Sequence, residues 1–169
     1  MGNDGPWDRP DVMRRGNGLV RYSQGTATNG FSLTGLVYSA TWNSSDQIPR
    51  RAVDEGVISR FGYLDRTDGG ETHRAAAIGE WQRTSTAGIT HVEAYAFDYG
   101  LDLFSNFTYF LDDPEDGDQF EQRDDRTVVG GRASHAWSPT VFGRRSQVTF
   151  GSEVRHDAIG TVGLYHTAE

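Results

Sequence analysis

The gaps between extended segments of this chain alternate between short and long. Alternation of apolar and polar residues predicts strands at 17–25, 30–42, 71–84, 88–110, 126–138 and 144–157. The gaps at 26–29, 85–87 and 139–143 are short, whereas those at 43–70 and 111–125 are long and rich in Gly, Asp and Arg. This order places the long loops at one end of the sheet, which is typical of an outer-membrane β-barrel.

The residues within the predicted strands have a period of two. In the segment 146–156, Val148, Phe150 and Val154 share one face, opposite Thr149, Glu153 and Arg155. The segment 71–83 places Ala75, Ala77, Gly79 and Trp81 opposite Arg74, Ile78, Glu80 and Gln82. The segment 88–110 is long for a strand of a globular domain. The pair Gly130-Gly131 interrupts the segment 126–137 and predicts a bulge or a tight bend.

Aromatic residues lie near the ends of several predicted strands. Phe31 and Trp42 are eleven residues apart, which in a tilted strand corresponds to roughly 25 Å along the membrane normal. This spacing suits two aromatic girdles on either side of an apolar band. The alternative explanation is the general preference of aromatic residues for strands.

Composition excludes several classes of protein. The 169 residues suffice for one domain, and with 36% hydrophobic residues and no apolar run of about 18 residues they do not form a helical membrane protein. There is no cysteine, hence no disulfide framework and no thiolate metal site, and all 16 basic residues are arginine, which excludes a Walker-type phosphate loop. A net charge of −8 argues against a nucleic-acid partner. An ordinary globular all-β protein stays compatible with this composition.

We expect no signal peptide in the first residues, because they contain neither a basic start nor an apolar core. The first dozen residues, with two prolines, predict a loop, and we expect the chain to begin inside one. We expect the segment 164–167 to begin another outer loop. A helical turn or two is predicted at 48–56, where Arg50 and Arg51 either meet an anionic ligand or are solvated.

No catalytic, cofactor or metal-ligating residue can be assigned from the sequence. The acid-rich run 111–121 fails the calcium-loop pattern, since the third position from Asp112 is Pro114 and the twelfth is Arg123. It predicts a solvated acidic loop. The motif His91-Val92-Glu93 resembles the start of a deaminase signature, but its cysteine pair is missing. A glycosidase-like carboxylate pair stays open among many acids, and we predict that the chain is not an enzyme.

Several stretches make the chain similar to a known family. It resembles the barrel region of bacterial TonB-dependent outer-membrane receptors. The stretches that carry the resemblance are GFSLT at 30–34, WNSSDQIPRRAV at 42–53, RFG at 60–62, DGG at 68–70, LFSNFTYFL at 103–111, DQFEQ at 118–122 and FGRR at 142–145. They cover almost the whole chain.

The resemblance implies a fold, a location and partners. Such receptors are 22-stranded barrels in the outer membrane of Gram-negative bacteria, closed by an N-terminal plug and driven by the TonB complex, and they import siderophores or other small nutrients. Against that pattern, we expect residues 1–169 to contain no plug and strands for about a quarter of a barrel. We therefore expect residues 1–169 to be a partial barrel segment: an antiparallel meander of about six to eight long strands, forming a curved open sheet if isolated.

The resemblance also implies how the segment would work. Its expected partners are outer-membrane lipid, the missing plug and remaining strands, a small nutrient or siderophore met through loops 43–70 and 111–125, and TonB only through the full-length receptor. No ligand-binding residue can be named. Two alternatives stay open: a soluble all-β ligand-binding module, such as a carbohydrate-binding sandwich, and a small complete barrel with an enzyme site, which requires at least eight strands.

Overall fold

One antiparallel sheet accounts for most of the computed structural model, which describes residues 6–167. Its strands, in spatial order, are β1 (Arg14–Gly25), β2 (Asn29–Asn43), β3 (Gly69–Ser85), β4 (Gly88–Ser105), β5 (Phe120–Trp137) and β8 (Val148–His166). A five-residue helix, α1 (Arg50–Asp54), lies between β2 and β3, and β6 (Thr140–Val141) and β7 (Arg144–Arg145) form a separate hairpin. The predicted open antiparallel meander is confirmed.

The end of β4 and the start of β5 differ from those predicted. β4 ends at Ser105 instead of residue 110, because the Asn106 side chain accepts a 2.8 Å hydrogen bond from the Tyr109 N–H and turns the chain. β5 begins at Phe120 instead of 126 because its charged first residues pair with both neighbouring strands.

The segment from 138 to the end of β8 differs most from the prediction. Residues 164–166, expected to begin a loop, belong to β8 and pair with β5. The short turn predicted at 139–143 is a connection over 138–147 that contains the β6–β7 hairpin. Residues 6–13 form no helix or strand, as expected for a loop.

The connections separate by length between the two ends of the sheet. Residues 26–28, 86–87 and 138–147 connect strands at one end, and the longer segments 44–68 and 106–119 connect them at the other. Because every main-sheet strand is antiparallel to its neighbours, both long loops necessarily lie at the same end. The predicted segregation of the loops is confirmed.

The strand register defines two chemically different faces. The ionic face carries Arg21, Glu80, Glu93 and Arg132, with ion pairs Arg21–Glu80 at 2.8 Å and Arg132–Glu93 at 2.9 Å. In its half near the short turns, the apolar face carries polar residues, including Thr90, His135 and Ser152, among small and aliphatic side chains, which are Val20, Leu33, Val37, Ala75, Ala77, Val92, Ala94, Ala96, Val129, Ala133 and Val154. His73 and Asp98 lie on this face nearer the long loops, with Nε2 and Oδ1 3.2 Å apart.

Burial on the inner strands β2 and β4 is inverted relative to a globular domain, whereas the edge strand β1 is exposed on both faces. On β2, Leu33 and Val37 of the apolar face are 56% and 59% exposed, whereas Ser32 of the ionic face is 6% exposed. β4 shows the same order, with Val92, Ala94 and Ala96 exposed and the intervening residues half-buried. Because hydrophobic burial drives folding in water, a globular domain buries its apolar face. On these strands the polar face is the more buried one and the apolar face is exposed.

The girdle prediction from Phe31 and Trp42 is wrong. An odd spacing of eleven residues along the continuous strand β2 places the two side chains on opposite faces. Aromatic residues do gather on the apolar face near the short turns. This aromatic belt consists of Tyr22, Phe31, Trp81, Trp137 and Phe150, with ring centroids 6.0 Å apart for Tyr22–Phe31 and 5.5 Å apart for Trp137–Phe150.

Of the bulge or tight bend predicted at Gly130-Gly131, the bulge is wrong, because pairing there is regular on both sides. Gly130 instead accommodates the ring of Tyr95, since a Cβ at this position would lie 2.5 Å from the Tyr95 Cζ. The register shift lies between Asp125 and Arg126, where the extra residue on β8 is Gly160.

Neither face of the sheet is covered by a second layer within the described part of the chain. The buried apolar residues there are Ala40, Ala52 and Val128. β1 and β8 each pair on one side only, so their outer backbone groups form two open edges. Over residues 6–167, no helix has the length and apolar character required to cross a membrane.

Candidate functional site: a buried polar hub between the long loops

The two long loops and the N-terminal segment meet above one end of the sheet. The buried polar side chains of this region include Asp65, Asp68, Asn106 and Gln119, each between 1% and 6% exposed. We refer to these four residues with Arg9 and Thr67 as the loop hub. Burying so many polar groups is costly unless they are paired, so their hydrogen bonds determine whether the loops hold together.

Gln119 joins the loop that precedes β5 to the loop that precedes β3. Its Nε2 donates to Asp65 Oδ2 at 2.6 Å and to Thr67 Oγ1 at 2.5 Å, and its Oε1 accepts a 2.8 Å hydrogen bond from the Thr167 hydroxyl. Asp65 itself closes a local turn by accepting hydrogen bonds from the N–H and hydroxyl of Thr67. The amide of one side chain therefore links three distant segments.

Arg9 brings the N-terminal segment to the same place. Its Nη1 donates to the carbonyl oxygens of Asp68 at 2.9 Å and Asp65 at 3.3 Å, and its guanidinium lies 5.9 Å from the centre of the Tyr63 ring. A planar guanidinium suits this role because it offers several donors in a fixed geometry. The residues before β1, predicted as a loop, are thus tied to the hub.

The carboxyl of Asp68 has an unusual protonation equilibrium. Burial, followed by the negative charges of Asp65 and Asp46, raises the pKa of Asp68 to about 7, while Gln119 and Arg9 oppose the shift. Desolvation and like charge both disfavour the ionised form. The hub therefore holds a carboxyl that exchanges its proton near neutral pH.

The acid-rich loop folds around Asp118. Its carboxylate accepts hydrogen bonds from the backbone N–H groups of Leu111, Asp112 and Asp113, at 2.7 to 3.2 Å. Although desolvation opposes it, the hydrogen bonds from the Thr108 side chain and from these backbone groups lower the pKa of Asp118 to about 2. Residues 111, 112 and 114–116 are exposed, in agreement with the predicted solvated acidic loop.

The predicted helical turn is present as α1, with Pro49 at its N-cap and Gly56 following its C-cap. The two arginines left open between ligand binding and solvation have intramolecular partners. Arg50 pairs with Asp54 at 3.2 Å, and Arg51 donates a 2.6 Å hydrogen bond to the Thr108 carbonyl. Arg51 therefore fastens α1 to the acid-rich loop.

Two clefts flank the hub. One, of about 410 Å³, is lined by Trp7, Met13, Arg15, Trp42 and Asp46, and combines aromatic surface with charge. The other, of about 460 Å³, is lined by Phe107, Asp112, Asp113, Asp118 and His166. Carboxylates dominate the second cleft, so its charge favours cationic groups over anionic ones.

The histidines, scattered in the sequence, take distinct places in the fold. His73 pairs with Asp98, His135 hydrogen-bonds with the Thr90 hydroxyl at 2.9 Å, and His166 contacts the Gly117 carbonyl at 2.9 Å. His91 lies with Glu80 and Glu93 on the ionic face. The His91-Val92-Glu93 motif contained two of these three residues, but the contribution of Glu80 depends on strand register.

Comparison of this chain with protein-family models, with curated proteins and with solved structures finds no match.

Proposed function

We propose that this sheet is part of the wall of an outer-membrane β-barrel, with its apolar face toward lipid and its ionic face toward the lumen. The observation that carries the proposal is the inverted burial of the two faces. Transmembrane barrels alternate apolar residues outward and polar residues inward, so an exposed band of Leu33, Val37 and Ala77 beside a sheltered Ser32 is the pattern that they require.

Three further features support this proposal. The aromatic belt borders the apolar band near the short turns, and the His73–Asp98 pair limits the band on the side of the long loops. On β5 the band runs from Trp137 to Val129, with His135 as its one polar side chain, and its length matches that needed to span a bilayer in a tilted strand. The open edges of β1 and β8 require further strands, because unpaired backbone groups are not tolerated in hydrocarbon.

Within this proposal the molecular role is that of a TonB-dependent receptor, on the strength of the sequence resemblance. The two long loops and their clefts then face the cell exterior, where they contribute to the capture of a small nutrient or siderophore-like ligand. The plug domain and the remaining strands would complete the barrel, and TonB would act on the complete receptor. Reading the DNA on both sides of the coding segment tests this part, since it must continue into a plug and more strands.

The membrane orientation can be tested with two adjacent alanines. Ala77 lies on the apolar face and Ala76 on the ionic face of β3, and the chain contains no cysteine that would interfere with labelling. The variants Ala77→Cys and Ala76→Cys are introduced into the complete barrel that the flanking DNA encodes, because the open edges of the chain alone are not tolerated in hydrocarbon. Each variant carries an environment-sensitive fluorophore after reconstitution of that barrel into lipid vesicles. We expect a nitroxide on the lipid acyl chains to quench the label at position 77 much more strongly than the label at position 76.

The outcome separates the candidate functions. Equal quenching of both labels by a water-soluble quencher, with none by the lipid nitroxide, would support the soluble ligand-binding module and overturn the membrane proposal. Far-UV circular dichroism of both labelled variants checks that they retain the same β-sheet content.

A further inference from the structure

A compact group of three ligand-type side chains lies on the ionic face. The two-residue period of β4 places His91 and Glu93 on one side of the strand, and the register of β3 sets Glu80 directly opposite Glu93. One candidate ligand atom from each residue lies within 4.8 Å of the other two, and all three residues are half-buried. We call this group the Glu–His–Glu triad.

The donor atoms of the triad suit a divalent transition metal. Zinc accepts imidazole nitrogen and carboxylate oxygen at about 2.0–2.2 Å, which places the ligand atoms of a tetrahedral site about 3.4 Å apart. Binding therefore requires the three side chains to rotate until their ligand atoms, now within 4.8 Å of one another, reach this spacing. A cleft of about 330 Å³, lined by Glu80 and His91, adjoins the triad and provides room for the ion and for a water ligand.

Hydrogen bonds around the triad orient its carboxylates. Glu80 Oε2 accepts from Arg21 Nη2 at 2.8 Å and from the Ser32 hydroxyl at 2.9 Å, and Glu93 Oε2 accepts from Arg132 Nη2 at 2.9 Å. Each carboxylate has a second oxygen that can serve as the ligand. Such supporting contacts hold ligand side chains in place at metal sites in general.

The strand register also supplies an electrostatic reason for a cation. Two carboxylates directly opposite each other on neighbouring strands repel. The arginines that pair with Glu80 and Glu93 are themselves about half exposed, at 52% and 55% of their side chains, so solvent weakens the compensation that they provide. A divalent ion between the two carboxylates removes the repulsion directly.

We propose that Glu80, His91 and Glu93 bind a divalent cation of the zinc type, which links β3 to β4 across the ionic face. The site depends on the sheet register alone and not on the proposed membrane function. The inference therefore stands or fails separately from the lipid-quenching result.

The experiment is a zinc titration of the full chain in competition with a chromophoric chelator, in detergent micelles. We expect one site that His91→Ala weakens at least about 10-fold, since loss of a ligand should cost no less than loss of a supporting contact. Glu93→Gln, which keeps the side-chain shape, should also weaken binding strongly. His73→Ala is the matched control, because His73 also pairs with a carboxylate but lies on the opposite face.

X-ray absorption of the zinc-loaded chain gives a second measurement, with an imidazole signal expected for the unaltered chain and for His73→Ala. The proposal is overturned if the unaltered chain binds no zinc, or if Glu93→Gln and His91→Ala both bind it as tightly as the unaltered chain does. Circular dichroism confirms the fold of each variant before titration.

Discussion

Gln119 Nε2 lies 2.6 Å from Asp65 Oδ2, and this hydrogen bond joins residues 54 positions apart in the sequence. It connects the loop that follows β4 with the loop that precedes β3. Because Gln119 is 3% exposed, water cannot replace the bond without opening the hub. The two long loops therefore behave as one unit.

Gln119→Leu should loosen both long loops at once. The variant removes the amide that donates to the Asp65 carboxylate and the Thr67 hydroxyl. We expect this loss to lower the free energy of local opening by about 1–3 kcal/mol. We expect faster tryptic cleavage after Arg60 and Arg66, which lie in the loop that Gln119 does not belong to. Gln122→Leu, at an exposed position near the start of β5, is the control and should leave the cleavage rate unchanged.

Stability should fall as the pH rises from about 4 to 7, owing to Asp68. Its folded pKa of about 7 exceeds the ordinary value of 3.8, so the folded chain retains a proton that the unfolded chain loses in this window. The contribution is complete below the ordinary pKa and is lost as the pH passes 7. Urea unfolding between pH 4 and 8, monitored by tryptophan fluorescence, measures the slope.

Asp68→Asn should reduce this slope and raise the urea midpoint at pH 8, because the amide needs no proton to remain neutral. Glu55→Gln removes an exposed carboxylate of the same loop and serves as the control. An unchanged slope in Asp68→Asn would contradict the assignment of the titration to Asp68.

The acid-rich loop should respond to pH in the opposite direction. The folded pKa of Asp118, about 2, lies below the ordinary value, so its stabilising contribution is present above about pH 4 and is lost as the pH falls toward 2. Asp118→Ala should increase hydrogen exchange at the amides of Leu111, Asp112 and Asp113 at pH 5. Asp116→Ala, in the same exposed loop, should protect these amides as well as the unaltered chain does.

Gly130→Ala should destabilise the sheet by about 1–3 kcal/mol, because its new Cβ would overlap the Tyr95 ring and approach the Val154 carbonyl. Gly35→Ala is the matched control, since a Cβ at Gly35 meets no atom within 4 Å. Urea unfolding of both variants gives the comparison. Equal midpoints for the two would show that Tyr95 moves aside at no cost.

Local patterns in the sequence predict the strands, because the period of two along β3 or β8 depends only on neighbouring residues. They also predict the segregation of the loops, which follows from counting the gaps. The girdle prediction was wrong for a local reason, since the odd spacing of Phe31 and Trp42 already places them on opposite faces.

What the sequence could not predict depends on pairing between distant segments. Gln119 and Asp65 meet only when β3, β4 and β5 are in register, and Glu80 joins His91 only through the β3–β4 pairing. The glycine at 130 is explained by Tyr95 on the neighbouring strand, a relationship invisible in the run Val129-Gly130-Gly131 itself. The bulge at Gly160 likewise requires knowledge of the partner strand β5.

The order of the strands has a consequence for how quickly this sheet can form. Neighbours in the main sheet are also consecutive in the sequence, except that the small β6–β7 hairpin lies between β5 and β8 in the chain. Strand pairing can therefore start at the tight connections 26–28 and 86–87 and extend one residue pair at a time away from each turn. Each step then closes only a short loop and costs little chain entropy. Closing the segment 44–68, which brings the β1–β2 hairpin against the β3–β4 hairpin, is then the slow step of folding. Because the loop hub forms after this step, substitutions in it should change the unfolding rate more than the folding rate.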